Sequence, residues 1–299
     1  MTNVLQSATP AGSFLLTENK KGFMIEYLDS YCEEFIDIIK TSPKPVKVAD
    51  FGVAFGYTTK LLLKAGADVI ANDLSENHLD ALWTSVTAQD RTHLRLLPGN
   101  VLDLELPAGS LHGILACRWI HFLTGEELRT VLAKFFKWLV PGGRLCLTAE
   151  SVYLGSHKEI FDKYLERKAN SVEWPGFVQV ADLSTKRKQH MPSYLHLYDT
   201  DVLERELSKA NFQIDRCGYI ARPNYPEDLR NGGREAIGSI ALNCPNHDAL
   251  VKGTERHGGL PLGPHPLSPI ADDAAVFTMA EDCGHFSIKN SSFSHCSLK

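Results

Sequence analysis

A short β-branched run that ends in a glycine-rich turn constrains this chain most. Val46–Phe51 has the composition of a buried strand. Gly52, Ala54 and Gly56 follow it, before the helical apolar spacing of Tyr57–Lys64 begins. Glycine lets the backbone approach a ligand closely, and the N-terminus of the next helix presents unpaired N–H groups. The segment therefore predicts a strand, a ligand-binding turn and a helix in succession.

Strand and helix signals alternate along the rest of the first half. Apolar and β-branched runs predict six further strands, at residues 68–72, 93–97, 113–117, 144–148, 212–220 and 236–242. Thr124 and Glu127 have the spacing of a capping box that starts a helix. Because strands that alternate with helices form parallel sheets, we expect five βα units in succession and then a hairpin. The fold class predicted is α/β, with a Rossmann-like seven-stranded, mainly parallel sheet, one antiparallel strand and helices on both faces.

Composition divides the chain of 299 residues into three parts. Residues 1–45 are predicted to hold an N-terminal segment and an amphipathic helix over Met24–Lys40. Residues 46–245 form the sheet domain, with a helical cap insertion at about 151–198 over the active edge of the sheet. Residues 246–299 are rich in Pro, Gly, His and Ser without apolar periodicity, which predicts a disordered tail.

A carboxylate at the end of the second predicted strand strengthens the case for a ligand. Asp73 lies 21 positions after Gly52. A carboxylate at this point can accept hydrogen bonds from both hydroxyls of a ribose. The glycine-rich turn and Asp73 together indicate a nucleoside.

The ordered motifs resemble those of the class I S-adenosylmethionine-dependent methyltransferases. Their first motif runs D-x-G-x-G-x-G, which matches Asp50 to Gly56 here with Ala54 in place of the middle glycine. Pro98–Pro107, Ala116–His121 and Leu139–Gly143 resemble later motifs of the family. The similarity covers roughly residues 46–150 and 197–242, and it implies S-adenosylmethionine as the cofactor.

The resemblance also implies which residues contact the cofactor. In the family an acidic residue after the third strand contacts the adenine amino group; Asn100 stands there in this chain, and its amide oxygen can accept from an amine. The segment that contains Cys117 is similar to the one beside the methionyl end of the cofactor. The cofactor-binding residues expected are Asp50, Gly52, Ala54, Gly56, Asp73, Leu74, Asn100, Val101 and Cys117.

Methyl transfer to a hydroxyl or an amine requires a general base. Imidazole titrates near neutral pH, and His121 follows the fourth predicted strand. We predict His121 as the catalytic residue, with His157, His190 and His196 in or beside the cap as alternatives. The insertion also carries aromatic residues that can roof an apolar acceptor.

Other functions fit parts of the same pattern. A Rossmann fold with this carboxylate also suits an NAD(P)-dependent oxidoreductase, and Tyr164 and Lys168 have the spacing of a dehydrogenase pair. We interpret those two as solvated neighbours on a charged helix. A methyltransferase that acts on protein, and a nucleoside-binding protein without catalysis, stay open as further alternatives.

Charge and cysteine content bear on partners and location. The formal net charge of −5 gives no general attraction to nucleic acid, so we expect a small-molecule methyl acceptor and no nucleic acid partner. No apolar stretch has the length that a bilayer demands, and seven scattered cysteines suit reduced thiols. These features predict a cytoplasmic protein without membrane contact; they leave the oligomeric state open.

Metal-ligating side chains are frequent near the C-terminus but lack the spacing of a site. Cys244, His247, His257, His265 and Cys283 are examples, and no pair repeats at C-x-x-C or H-x-x-x-H spacing. The basic run Lys186–Lys188 is interpreted as a solvated loop. The sequence predicts no metal site.

Overall fold

The computed structural model of the protein describes residues 14–17, 23–183 and 188–244. The predicted tail and most of the basic run at 186–188 lie outside the described residues. The strands are β1 Phe14–Leu16, β2 Phe23–Ile25, β3 Val46–Phe51, β4 Ala67–Asp73, β5 Leu94–Pro98, β6 Leu111–Cys117, β7 Leu139–Glu150, β8 Phe177–Gln179, β9 Tyr194–His196, β10 Phe212–Ile220 and β11 Ala236–Asn243. The α-helices are α1 Ser30–Thr41, α2 Tyr57–Lys64, α3 Glu76–Ser85, α4 Ala88–Arg91, α5 Gly125–Trp138, α6 Lys158–Ala169 and α7 Thr200–Lys209.

The seven-stranded sheet has the order β10-β11-β7-β6-β3-β4-β5. Strand β11 runs antiparallel to both of its neighbours, and the remaining pairs are parallel. The predicted fold class is therefore confirmed, including the single antiparallel strand. Phe51 pairs with Asn72 of β4 and with Ala116 of β6, so the carboxyl ends of three neighbouring strands meet at one edge. In open α/β sheets ligands bind at such an edge.

Alternate residues of β3 enter two separate hydrophobic cores. Ala49 and Phe51 face one cluster, where Phe51 lies 4.9 Å from Phe135 between ring centroids. Val46 and Val48 face the other cluster, which is filled from helices α1, α2 and α3. This alternation follows from the period of two in a strand and explains why a sheet buried on both faces is rich in apolar residues.

Side-chain caps set the starts of two helices. Thr124 and Glu127 form the predicted capping box at the start of α5. The helix predicted over Met24–Lys40 instead begins at Ser30, because the Asp29 carboxylate accepts from the first free N–H groups of α1. The residues before Asp29 are correspondingly not helical, and Met24 belongs to strand β2, which pairs with β1.

Two connections differ from the predicted alternation. The link between β5 and β6 contains no helix, so the expectation of five βα units in succession is wrong there. The short helix α4, capped by the Thr87 hydroxyl, was not predicted. Helix α4 is a short polar segment in which hydrophobic periodicity gives no signal, whereas the link between β5 and β6 buries Val101 and Leu106 in the core without forming a helix. Among the described residues, no helix is both long and apolar enough to cross a membrane.

The segment 151–198, called the cap below, packs its own cluster around Val152, Leu183 and Leu195. Trp174 of the cap lies between the guanidinium groups of Arg129 and Arg205, at 4.7 and 5.2 Å from the ring centroid. These cation–π contacts link the cap to helices α5 and α7.

The pair Tyr164 and Lys168 is not the solvated pair that we expected. Tyr164 is buried and donates its hydroxyl proton to the Asp199 carboxylate, and Lys168 pairs with the same carboxylate. Asp199 also caps α7 by accepting from the N–H of Val202 at 2.9 Å. The pair therefore anchors the cap to α7. This structural role accounts for the two residues, whose spacing resembles that of a dehydrogenase pair.

Candidate functional site

A cavity of about 490 Å³ opens where β3, β4 and β6 end. The sheet topology accounts for its position, because the glycine-rich turn, Asp73 and Cys117 all follow or end adjacent parallel strands. Of the ten residues predicted for the site, nine line this cavity: Asp50, Gly52, Ala54, Asp73, Leu74, Asn100, Val101, Cys117 and His121.

The glycines of the turn accommodate protein side chains. A Cβ atom on Gly52 would lie 2.7 Å from Cδ1 of Trp119, and one on Gly56 would overlap the side chain of Leu82. Gly56 does not line the cavity. The two glycines therefore allow tight packing against Trp119, which follows β6, and against Leu82 of α3, while Gly52 also lines the cavity. Ala54 adopts a φ of +46°, which is unfavourable for a residue with a side chain.

Three amide groups of the turn are already hydrogen-bonded. The N–H groups of Gly52 and Val53 donate to the carbonyl of Asn72 at 2.8 and 3.1 Å. The N–H of Ala54 donates to Oδ2 of Asp73 at 2.8 Å. These three amides are therefore not available to a ligand as unpaired donors; the predicted unpaired N–H groups belong to the start of the next helix, α2. The three amides fix the turn to β4 and place the Asp73 carboxylate against it.

Asp73 is held from two sides. Its Oδ1 accepts from the N–H of Ser75 at 2.9 Å and lies 2.9 Å from Nδ1 of His78. His78 is buried in the first turn of α3 and also lines the cavity. The sequence analysis missed His78, although its position five residues after Asp73 places it on the helix that follows β4.

Asp50 is a buried carboxylate at the base of the turn. Thr58 and Thr59 donate their hydroxyl protons to its Oδ2 at 2.8 and 2.7 Å. Burial raises the pKa of Asp50 to about 6, against the opposing effect of these two hydrogen bonds. The group therefore exchanges its proton near neutral pH, where its charge can respond to a ligand.

Asn100, Val101 and Leu74 form one wall of the cavity. The side-chain oxygen of Asn100 accepts from the N–H of Leu102 at 3.1 Å, which fixes the amide within its turn. Val101 is buried, whereas Leu74 is 70% exposed and offers an apolar face to whatever occupies the cavity. The wall combines apolar surface with an amide, as a flat heterocycle requires.

Cys117 lies among other thiols at the end of β6. Its Sγ is 3.5 Å from Sγ of Cys32, and their contact together with burial raises the pKa of the Cys117 thiol well above its usual range. Within the described part of the chain, Asp29, Cys32 and Cys117 are the one group of three or more possible metal ligands whose ligand atoms all lie within 4.8 Å of one another. The Asp29 carboxylate of this group is already paired with Arg222 at 2.8 Å.

The outer part of the cavity is built by other segments. Strand β2 contributes Phe23 and Ile25, the cap contributes Met191 and Tyr194, and the loop before β11 contributes Leu229. Most of these side chains are apolar. This part of the cavity therefore presents a largely apolar surface beside the sheet edge.

The four candidate histidines differ in whether they line the cavity. His121 is buried beside Phe122, with 4.2 Å between ring centroids, and lines the cavity together with His190. His196 does not line it; it is buried against Tyr198, and burial lowers its pKa to about 4. As an alternative base His196 is therefore poorly placed. The side chain of His157 lies outside the described residues.

Arg118 and Trp119 line the cavity directly after β6; both lie in the motif Ala116–His121, although neither was among the predicted site residues. Arg118 has a φ of +59°, and its Nη2 donates to the carbonyl of Ile25 at 3.1 Å. A charged residue that follows a strand at the ligand-binding edge is the signal that could have identified Arg118.

Comparison with known proteins gives one family match, to a methyltransferase domain over residues 48–143. Carboxy-S-adenosyl-L-methionine synthase of Shewanella loihica is 27% identical over 112 residues, which are 36% of this chain and 45% of that protein. An uncharacterized methyltransferase of Bacillus mycoides is 25% identical over 55% of this chain and 72% of its own length. This chain thus spans less than half of the first relative.

One solved structure illustrates the similarity of fold. The 1,6-didemethyltoxoflavin-N1-methyltransferase of Burkholderia thailandensis, with bound 1,6-didemethyltoxoflavin and S-adenosylhomocysteine, matches with a TM-score of 0.52 at 17% identity. The match covers 73% of this chain and 80% of that structure. At this identity the likeness concerns the arrangement of strands and helices.

Proposed function

This chain contains a class I S-adenosylmethionine-dependent methyltransferase domain, and from that premise we propose that its cavity holds the cofactor beside a small-molecule methyl acceptor. The observation that carries the proposal is one continuous cavity with two kinds of lining. Residues of the sheet edge line one part, and apolar side chains of β2 and the cap line the other.

The residues present fit S-adenosylmethionine by their chemistry. We assign to Asp73 the hydrogen bonds from the ribose hydroxyls, and to Leu74 and Val101 the apolar contacts with the adenine ring. Asp50 lies at the base of the turn, where a carboxylate suits the ammonium of the methionyl group. Asn100 and Cys117 line the same space, and we assign both to the cofactor.

When bound, the sulfonium of S-adenosylmethionine supplies an electrophilic methyl group. The protein's part is to hold the acceptor in line and to exclude water, which the apolar side chains of the outer cavity provide. For an oxygen or nitrogen acceptor we assign to His121 the removal of its proton, because the ring lies in the cavity wall beside the segment after β6. A carbon acceptor uses the same alignment.

A small-molecule acceptor fits this walled cavity better than a protein acceptor would. Strand β2 and the cap form walls on the outer side, so the acceptor enters a pocket of about 490 Å³ that the cofactor shares. Pockets of this size suit small ligands. We keep the cytoplasm as the proposed location, on the grounds of charge and cysteine content given above.

A nicotinamide cofactor fits the turn less well. Its pyrophosphate needs unpaired amides, whereas the amides of Gly52, Val53 and Ala54 donate within the protein. Asp50 and Asp73 also place two carboxylates beside the turn, which disfavours a dianion. Tyr164 and Lys168, the residues that favoured this alternative, do not line the cavity.

Calorimetry with S-adenosylmethionine tests the cofactor assignment. We expect binding by the wild type, a loss of about tenfold or more for Asp73→Asn, and none for the exposed control Asp80→Asn. A folded wild-type protein that binds NADH and ignores S-adenosylmethionine would refute it.

Transfer of a labelled methyl group to fractionated cell extract tests the acceptor. Label is expected in the small-molecule fraction and not in protein. Label recovered only in protein would replace the small-molecule proposal by the protein alternative.

A further inference from the structure

Arg118 has an unusual backbone conformation beside the cavity. Its φ of +59° lies in the left-handed region, which side-chain-bearing residues rarely adopt. Strain of this kind persists where the surroundings hold it, and it concentrates at binding sites. Here the N–H of Arg118 donates to the carbonyl of Thr148 at 2.8 Å, and the conformation brings a half-buried guanidinium into the cavity wall.

The charge of Arg118 is not balanced by an ion pair. The neighbouring carboxylate, Asp29, pairs with Arg222 at 2.8 Å, and both side chains of that pair are 2% exposed. Within the described residues no carboxylate oxygen lies within 4.0 Å of the Arg118 guanidinium. Its polar contacts are neutral oxygens, the carbonyl of Ile25 and the hydroxyl of Tyr225. The Asp29 carboxylate is thus paired with Arg222, and the Arg118 guanidinium pairs with no carboxylate within the described residues.

The other charged groups of the cavity are engaged elsewhere. Asp73 accepts from Ala54, Ser75 and His78 at the glycine-rich turn. Glu127 accepts from the N–H of Thr124 at 2.7 Å in the capping box of α5. Glu150 lines the cavity at the end of β7, and its charge contributes to the raised pKa of the Tyr225 hydroxyl. A half-buried guanidinium without a carboxylate partner is costly, and a ligand carboxylate would compensate it.

We propose that Arg118 binds a carboxylate inside the cavity, on the premise of the function proposed above. Guanidinium groups bind carboxylates through two parallel hydrogen bonds, which gives this site both affinity and orientation. The next residue of the same wall, Trp119, has a buried indole N–H without an acceptor within the described residues. The carboxylate belongs either to the methionyl group of the cofactor or to the methyl acceptor.

The first arm of the test compares S-adenosylmethionine with decarboxylated S-adenosylmethionine, which lacks only the carboxylate. Both are titrated calorimetrically into the full chain as wild type, Arg118→Met and Arg118→Lys. If the cofactor supplies the carboxylate, Arg118→Met loses about 10- to 100-fold in affinity for the first compound and little for the second. Arg118→Lys retains the charge but loses the two parallel hydrogen bonds, so its affinity for S-adenosylmethionine falls between those of the wild type and Arg118→Met.

The second arm uses benzoate and benzamide on protein saturated with S-adenosylhomocysteine, measured by ligand-observed NMR. If the acceptor supplies the carboxylate, benzoate binds better than benzamide, and Arg118→Met abolishes that preference. Arg95→Met, an exposed arginine on β5 that does not line the cavity, is the matched control in both arms.

Thermal unfolding of each variant establishes that it is folded before titration. The proposal is overturned if a folded Arg118→Met protein matches the wild type in both arms, or loses affinity equally for compounds with and without the carboxylate. This result is separable from failure of the proposed function, because in that case the wild type itself would bind no S-adenosylmethionine.

Discussion

The backbone N–H of Ala54 donates to the carboxylate of Asp73 at 2.8 Å, so the glycine-rich turn and the end of β4 hold each other in place. His78 of α3 holds the same carboxylate, with its Nδ1 at 2.9 Å from the other oxygen of Asp73. The proposed ribose-binding group is therefore oriented before any ligand arrives. Preorganisation of this kind reduces the entropy lost on binding.

We predict that His78→Leu weakens S-adenosylmethionine binding by about tenfold, because it removes one of the hydrogen-bond partners that orient Asp73. Calorimetry measures the change. His93→Leu is the matched control, since His93 makes a similar pair with Asp68 at 2.7 Å on the exposed surface. Equal affinities of the His78 variant and the wild type would contradict the orienting role.

Ala54→Gly is expected to raise the free energy of unfolding by about 0.5–1 kcal/mol. Glycine adopts the φ of +46° without the steric penalty that alanine carries, and this outweighs its greater freedom in the unfolded chain. Urea denaturation measures the difference. Ala81→Gly inside α3 should act in the opposite direction, by about 1 kcal/mol. A loss of stability at both positions would mean that Ala54 is not strained.

Cofactor affinity should fall as the pH decreases below about 6. Burial raises the pKa of Asp50 to about 6, and a protonated carboxyl no longer attracts the ammonium group that we assign to it. Affinity is expected to decline by up to about tenfold per pH unit below that value. Asp50→Asn should bind weakly at every pH and lose this dependence. An unchanged pH profile in the variant would remove Asp50 from the ammonium site.

The acid stability of the protein should depend on Glu206. Burial raises the pKa of its carboxyl, but hydrogen bonds from Arg129, Arg205 and Lys209 outweigh burial and lower it to about 2. Because the folded-state pKa lies below the unfolded value of 4.5, the stabilisation is complete above pH 4.5 and is lost as the pH falls toward 2. Urea midpoints measured from pH 7 to pH 2.5 follow this loss.

Two variants test whether Glu206 causes the loss of stability at acid pH. Glu206→Gln should destabilise the protein at pH 7 by about 3 kcal/mol and flatten its acid dependence, since the side chain is 0% exposed and pairs with three cations. Glu126→Gln removes an exposed partner of the same arginine and should change stability by under about 0.5 kcal/mol. Similar losses in both variants would contradict the assignment to Glu206.

The elements that sequence predicted well are those with a local cause. The bounds of α2 and of β10 match the predicted ranges, because apolar spacing and a terminal turn define them. Asn211, which lies just after α7, has the left-handed conformation that asparagine adopts more readily than most residues, with a φ of +66°. The helix α1 was predicted too long because apolar residues of β2 continue its spacing, and only the cap at Asp29 stops it.

The predicted site residues came largely from the order of the sequence motifs. The features that were not predicted depend on contacts between residues that are distant in sequence. The space beside Gly52 is filled by Trp119, which is distant in sequence and adjacent only because β6 pairs with β3. Arg118 gains its significance from the pairing of Asp29 with Arg222, a contact between the two ends of the described chain. Tyr164 was placed in solvent because its partner Asp199 follows the cap.

The outer walls of the cavity come from β2, the cap and the loop before β11, none of which contributes a strand to the centre of the sheet. Under the proposed function, the residues assigned to the cofactor and those that surround the acceptor are thus separate stretches of chain. Acceptor preference can diversify through replacement of peripheral segments while the donor site is inherited intact. Chimeras that exchange residues 151–198 between relatives are therefore a direct route to new selectivity.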